Sequence, residues 1–229
     1  MNPELSVAVI VPVFNEERVL PALRVHLQAL NAENVLIVDG GSTDHSRQIL
    51  ENSATRWIPS APGRAKQMNA GATHTHSDIL LFVHSDTNIS SSHILALKQA
   101  MQDESCVGGR FDITLSGDGM ALRMIAWFIN TRSRLTGIST GDQCQFVRRS
   151  VFERMGGFPS QPLMEDVAFS KALKRQGHIA CLRQKVTTSS RRWETQGIIR
   201  TVLLMWKIRF LYWLGVSPEK LSSSYRQTR

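Results

Sequence analysis

Short runs of apolar residues alternate along this chain with stretches in which apolar positions recur every three or four residues. Leu5 to Val11, LSVAVIV, is the first run; it is closed by Pro12 and reads as a buried strand. Asn15-Glu16-Glu17 follows, then Val19, Leu20, Leu23, Leu27 and Leu30 at helical spacing. Asn15 is placed to cap that helix, and the two glutamates suit its positive end. Val35 to Val38 is a second strand, stopped by Asp39-Gly40-Gly41-Ser42, and Asp44 to Asn52 a second helix. Arg56 to Pro59 reads as a short strand, Gly63 to Thr75 as a helix, Ile79 to Val83 as a buried strand, and Ser91 to Met101 as a helix. Alternating short strands and helices imply βαβ units and a mostly parallel sheet, hence an α/β fold.

The second half is less regular. The pattern predicts a strand over Val107 to Leu115, with Gly108-Gly109 allowing a bulge, a helix over Met120 to Ile129, and a strand over Gln143 to Val147. Glu165 to Gln176 reads as a helix ended by Gly177. Ile198 to Leu214 is rich in Leu, Ile and Trp yet carries Arg200, Lys207 and Arg209. One reading is an amphipathic helix on an anionic bilayer; the other is a core or dimer helix. From Ser217 the polar tail is expected to fray.

In open parallel sheets, ligands bind beyond the carboxyl ends of the strands. Three polar clusters fall there: Asn15-Glu16, Asp39-Gly40-Gly41 and His84-Ser85-Asp86. Any one of them is ordinary loop composition; three together mark a site.

A chain of 229 residues supports one sizeable core, so a single domain is expected. The formal net charge of +8 favours an anionic partner, whether nucleotide phosphate, nucleic acid or membrane. The basic residues are dispersed and carry no nucleic-acid motif, which argues against nucleic acid. Three widely spaced cysteines without a CxxC argue against a disulfide framework or zinc site and fit a reducing compartment. No leader peptide and no apolar stretch long enough to span a bilayer is evident, so a cytoplasmic protein is expected, with the inner membrane face as the place of any peripheral contact.

The segments VPVFNEE (11–17), VDGGSTD (38–44), GRAKQMNAG (63–71), HSDT (84–87) and MEDVAFSKALKRQG (164–177) stand in an order that resembles family 2 glycosyltransferases. GDQCQFVRR (141–149) and SSRRWE (189–194) fit a compact bacterial subgroup of that family. The resemblance covers about residues 5 to 195. It implies a GT-A fold, with a Rossmann-like, mostly parallel sheet flanked by helices, and a C-terminal helical segment. Residues 1–105 would bind the nucleotide sugar, 106–195 the acceptor, and 196–229 form a helix and tail.

The resemblance also implies roles. Asp39 reads the nucleobase, typically uracil, and a carboxylate can accept from its imide N–H; a turn aspartate is the plain alternative. Gly40 lets backbone approach the ligand. Pro12, Phe14, Glu16, Arg64 and Ser85 complete the donor side, where a guanidinium grips phosphate or stacks on a base. The family's Asp-x-Asp pattern appears here as His84-Ser85-Asp86, with Asp86 the ligand for Mn²⁺ or Mg²⁺. His84 departs from the pattern and would bind metal, contact ribose or only pack; imidazole suits Mn²⁺ better than Mg²⁺. Asp166 is the general base and Glu165 its support; the alternative is that both acids complement a helix N-terminus. Asp142 is expected to hold sugar hydroxyls.

Arg191 and Arg192 are expected at the pyrophosphate, with Trp193 on a sugar or buried. Ser189 stands where processive relatives have the glutamine of Gln-x-x-Arg-Trp, which argues against polymer synthesis. The implied function is inverting transfer of a sugar from a nucleotide-sugar donor, expected to be a UDP-sugar, to an acceptor hydroxyl on a small molecule or lipid. A nucleotidyltransferase is the rival enzyme, but no glycine-rich phosphate loop follows the first strand. A non-catalytic anion- or membrane-binding protein is the third reading.

Overall fold

The computed structural model describes residues 4–30 and 34–227. The first half runs β1 (Val7–Val13), α1 (Leu20–Ala29), β2 (Asn34–Asp39), α2 (Ser46–Glu51), β3 (Trp57–Pro59), α3 (Arg64–Thr73), β4 (Ile79–Phe82), β5 (Thr87–Asn88) and α4 (Ser91–Ala100). The second half runs β6 (Cys106–Leu115), α5 (Met120–Thr136), a 3₁₀ turn (Gly141–Gln143), β7 (Phe146–Arg148), α6 (Arg149–Arg154), α7 (Glu165–Leu173), β8 (His178–Thr188), α8 (Arg191–Gln196), α9 (Ile198–Trp213) and α10 (Pro218–Gln227).

The strands form one sheet in the order β3-β2-β1-β4-β7-β6-β8-β5. The β3-β2-β1-β4 part is parallel throughout, as the alternating pattern requires. Antiparallel β7 then joins β4 to β6, and β6 pairs in parallel with β8. All seven residues of β1 are buried, because helices cover both faces. Its odd positions, Val7, Val9, Val11 and Val13, pack with Leu20, Leu23 and Leu27 of α1 and Leu97 of α4. Its even positions Ala8 and Ile10 share the other core with Ala65, Met68 and Ala72 of α3 and Phe169 and Leu173 of α7. Pro12 is tolerated in this central strand because β4 pairs only as far as Ile10, leaving no partner for the N–H that proline lacks.

Several expectations need correction. Asn15 does not cap α1: its own φ is +55°, and its Oδ1 accepts from the Thr43 N–H at 2.8 Å, across to the β2–α2 loop. The tail from Ser217 is not frayed but forms α10, with Leu221 buried against Met164 and Ile208; residues 228–229 lie outside the described ones. Strand β8 was not anticipated, since Arg183-Gln184-Lys185 interrupts any alternation. It forms because β6 offers an edge, and the register shift between Phe111 and Asp112 accommodates Arg183 and Gln184 as a bulge, with Lys185 paired to Asp112. Helix α5 runs to Thr136, seven residues beyond Ile129, and docks on β6 through Asn130, whose amide bonds both the N–H and C=O of Ile113.

Candidate active site

The loops after β1, β2 and β4 lie side by side, because these strands are neighbours in the sheet. They are tied together by side chains. The Asn15 N–H donates to Ser42 Oγ, the Glu16 N–H to Ser46 Oγ, and Ser85 Oγ donates to Glu16 Oε1 at 3.0 Å. Phe14, next to this knot, is left exposed. Asp39 is buried, and its carboxylate accepts from the Ser42 hydroxyl at 2.5 Å and from the Ser42 N–H. It therefore fastens its own turn. Gln67 of α3 donates to the carbonyls of both Val13 and Val38, clamping the ends of β1 and β2. Gly40 makes room for that clamp: a Cβ there would meet the Gln67 amide at 2.8 Å.

The second group of residues comes from the other half of the sheet. Thr140 and Gln143 cap the 3₁₀ turn reciprocally, and Gln143 also reaches Ser133 on α5. The turn then meets α7. The Gly141 N–H donates to Asp166 Oδ2 at 2.8 Å, and the Val167 N–H to Asp166 Oδ1 at 2.7 Å. Gln145 donates to the Asp166 carbonyl and to Ser139 Oγ, and the Ser139 N–H donates to Ser170 on α7. Gln145, Ser139 and Ser170 have no signature in sequence; only their convergence reveals them as the frame that orients Asp166.

Gly141 joins the two groups. A Cβ on it would lie 2.3 Å from Nε2 of His84, so the imidazole edge rests on the glycine's α-carbon. Burial, and next the nearby Arg64, hold His84 well below its ordinary pKa, so the ring is neutral. Arg64 opens α3 and reaches across to Glu165 Oε1 at 3.3 Å. Glu165 is buried, and its carboxyl is raised above the ordinary range by burial and by the adjoining Asp166, with Arg64 opposing. Asp86 is exposed at the start of β5, and its carbonyl accepts from the Ser189 N–H, which brings the β8–α8 junction to the site.

Asp142 sits in the 3₁₀ turn with Oδ1 buried and without a partner among the described residues. Burial raises its pKa, Thr140 opposes, and Asp166 raises it further. Two arginines that are not among the expected site residues answer these carboxylates: Arg132 of α5 and Arg209 of α9, the latter expected only as a charge on the C-terminal helix, both act on Asp142. Burial, and next Arg209, draw the Arg132 pKa down to about 10. Cys144 is buried beneath the carboxylates, and its thiol is pushed well above its usual value by burial, then by Asp142 and Asp86. A buried thiol held this far toward its neutral form is an inert core residue.

The Arg191-Arg192-Trp193 triplet is split by α8. Arg191 is exposed, Trp193 is half-buried, and the Arg192 guanidinium lies 4.7 Å over the Tyr225 ring of α10. Arg192 Nε is buried and unpartnered among the described residues.

Residues 8–156 match the model of glycosyl transferase family 2. The chain belongs to that family. The 4,4'-diaponeurosporenoate glycosyltransferase of Staphylococcus haemolyticus is 31% identical over an alignment 106 residues long, which covers 39% of this chain and 26% of that protein. Among solved structures, S. aureus TarS superposes with a TM-score of 0.64 at 18% identity, covering 87% of this chain and 40% of that one. Glucosyl-3-phosphoglycerate synthase from Mycobacterium tuberculosis, in complex with Mn²⁺, UDP and glucosyl-3-phosphoglycerate, superposes at 0.57 with 17% identity, covering 79% and 70%. The α/β fold is thus that of GT-A glycosyltransferases, and the chain spans about a quarter of the S. haemolyticus protein and less than half of TarS.

Among the described residues, no group of three His, Cys, Asp or Glu side chains is placed to hold a metal. Asp86 is exposed, and Asp142 Oδ1 has no partner among the described residues; carboxylates of this kind suit a hard cation that takes one or two of them from protein and its remaining oxygens from phosphate and water. Also among the described residues, no helix is long and apolar enough to cross a membrane.

Proposed function

We propose that this family 2 member is an inverting glycosyltransferase that moves a sugar from a UDP-sugar to an acceptor hydroxyl. The observation that carries this reading is Gly141: its N–H holds Asp166 while its α-carbon supports His84, so the motifs of both sheet halves meet at one residue. A donor lying over the ends of β1, β2 and β4 has its anomeric carbon directed at that junction.

Asp39, Gly40, Phe14 and the Glu16–Ser85 pair form the nucleoside end, with Pro12 in the strand beneath. Arg64 and Arg192 supply cationic donors for the diphosphate, and Arg191 and Trp193 flank the same end of α8. Asp86 would hold Mn²⁺ or Mg²⁺, which would supply charge neutralisation at the diphosphate. His84, neutral and seated on Gly141, supports the loop that presents Asp86. Asp166 takes the proton of the acceptor hydroxyl, and Asp142 with Glu165 completes the carboxylate lining. The halves 1–105 and 106–195 divide the work between donor and acceptor. Solved structures of similar fold support the donor class: TarS has been seen with UDP-GlcNAc and the mycobacterial synthase with UDP and Mn²⁺.

The test is a thermal-shift series with UDP, GDP, ADP and CDP, each with and without Mn²⁺. Ligand at a hundred times its Kd adds about 2.7 kcal/mol to the folded state. A Mn²⁺-dependent rise with UDP alone is expected; equal curves for all four nucleotides would reject the proposal.

A further inference from the structure

Helices α5 and α9 each have two apolar sides, and only one is covered. Helix α5 buries Leu122 and Ala126, but leaves Met120, Met124, Trp127 and Phe128 in solvent on the opposite side. Helix α9 buries Ile208 against Met164 and Leu221, but exposes Ile199, Leu203, Trp206, Phe210 and Trp213, spaced four, three, four and three residues apart. That spacing is a single stripe. Trp127 is 66% exposed, Trp206 55% and Trp213 78%. The two stripes meet where the Phe128 and Trp206 rings approach to 6.0 Å, so they form one continuous face. Soluble proteins seldom leave a face of this kind bare.

Charge decides what covers it. Neither the 17 residues of α5 nor the 16 of α9 include an aspartate or glutamate. Of their six basic residues, Arg132 and Arg209 act on Asp142 in the site, and Arg134 pairs with Asp112. Arg123, Arg200 and Lys207 remain exposed among the apolar side chains. A second copy meeting this face about a twofold axis would set cation against cation. An anionic lipid surface meets it with opposite charge, and tryptophans at the margin suit the headgroup level.

We propose that the α5–α9 face docks on an anionic phospholipid bilayer, both helices lying in the plane of the interface. The inner side of α9 packs on Leu163, Met164 and Val167, the residues around Glu165–Asp166, so docking would turn the carboxylate cluster toward the lipid surface. That last consequence rests on the proposed function; the docking itself does not.

Vesicle flotation of the full chain tests it. Vesicles of phosphatidylcholine with phosphatidylglycerol should carry the protein upward, vesicles of phosphatidylcholine alone far less, and salt should weaken the difference. Arg200→Gln and Lys207→Gln should each reduce anionic-vesicle partitioning by about fivefold. Trp206→Ser with Trp213→Ser should abolish it while leaving Tm and the UDP-induced thermal shift unchanged, which separates docking from donor binding. Failure of the wild-type chain to float with anionic vesicles at low salt would overturn the proposal. So would a dimer in sedimentation equilibrium that the paired tryptophan variant dissolves, since the face would then belong to a second copy.

Discussion

At the residue scale, the site is defined by how its carboxylates are held. Asp166 accepts one backbone N–H on each oxygen, from Gly141 and from Val167. These donors fix its direction and leave its remaining lone pairs open to the acceptor hydroxyl that the proposed function requires. Asp166→Asn should lower turnover by roughly 10²–10⁴-fold, the usual worth of a general base. The asparagine would also turn an N–H donor toward one of the two backbone N–H groups, so an added loss of about 1–3 kcal/mol is expected. Turnover together with a thermal melt in UDP and Mn²⁺ checks this: unaltered turnover would remove Asp166 from the chemistry, and a retained UDP shift would localise the damage to the acceptor side. Glu165 is held differently, buried and paired to Arg64, and is suited to tie the two sheet halves rather than to exchange protons.

At the element scale, the 3₁₀ turn of Gly141–Gln143 matters more than its three residues suggest. Its first end is capped reciprocally by Thr140 and Gln143, and the turn seats His84 and supplies the N–H that aims Asp166. Gly141→Ala removes no chemical group, yet its Cβ would collide with Nε2 and Cε1 of His84. Displacing the ring or the turn should cost about 1–3 kcal/mol. At about 2–4 °C per kcal/mol for a chain of this size, calorimetry should resolve the fall in Tm. Turnover should fall with it; an alanine variant of full activity and wild-type Tm would show that the turn and the imidazole move apart freely.

At the scale of the whole molecule, stability and pH are linked through the same junction. His84 has an ordinary unfolded value near 6.5 and a folded value well below it. The unfolded chain therefore binds a proton that the folded chain refuses once pH drops beneath 6.5. The stability His84 contributes is present above that pH and is lost as pH falls through its folded value. Denaturant titrations from pH 7.5 down to about pH 5 should show this decline, and His84→Asn should flatten it. An identical slope in the variant would assign the acid sensitivity to other groups.

The α/β class was legible in the sequence because buried parallel strands are short apolar runs whatever covers them, and the strand-end clusters follow from chain direction alone. Asp39, Asp86, Glu165 and Asp166 were legible as candidates because motif spacing survives where overall identity is low. Other features depended on contacts distant in the chain. Strand β8 exists only because β6 offers it an edge, and α10 because Leu221 finds a greasy seat on α9 and Met164. Asn15 bonds the next loop instead of capping its own helix because β2 brings Thr43 to it. Arg132, Arg209 and Gln145 carry no local mark, since their positions beside Asp142 and Asp166 result from three elements converging. Local pattern determined which segments order and which ends carry polar chemistry; the tertiary structure alone decided which charges meet, because Coulomb and hydrogen-bond energies depend on distance in space and not on separation along the chain.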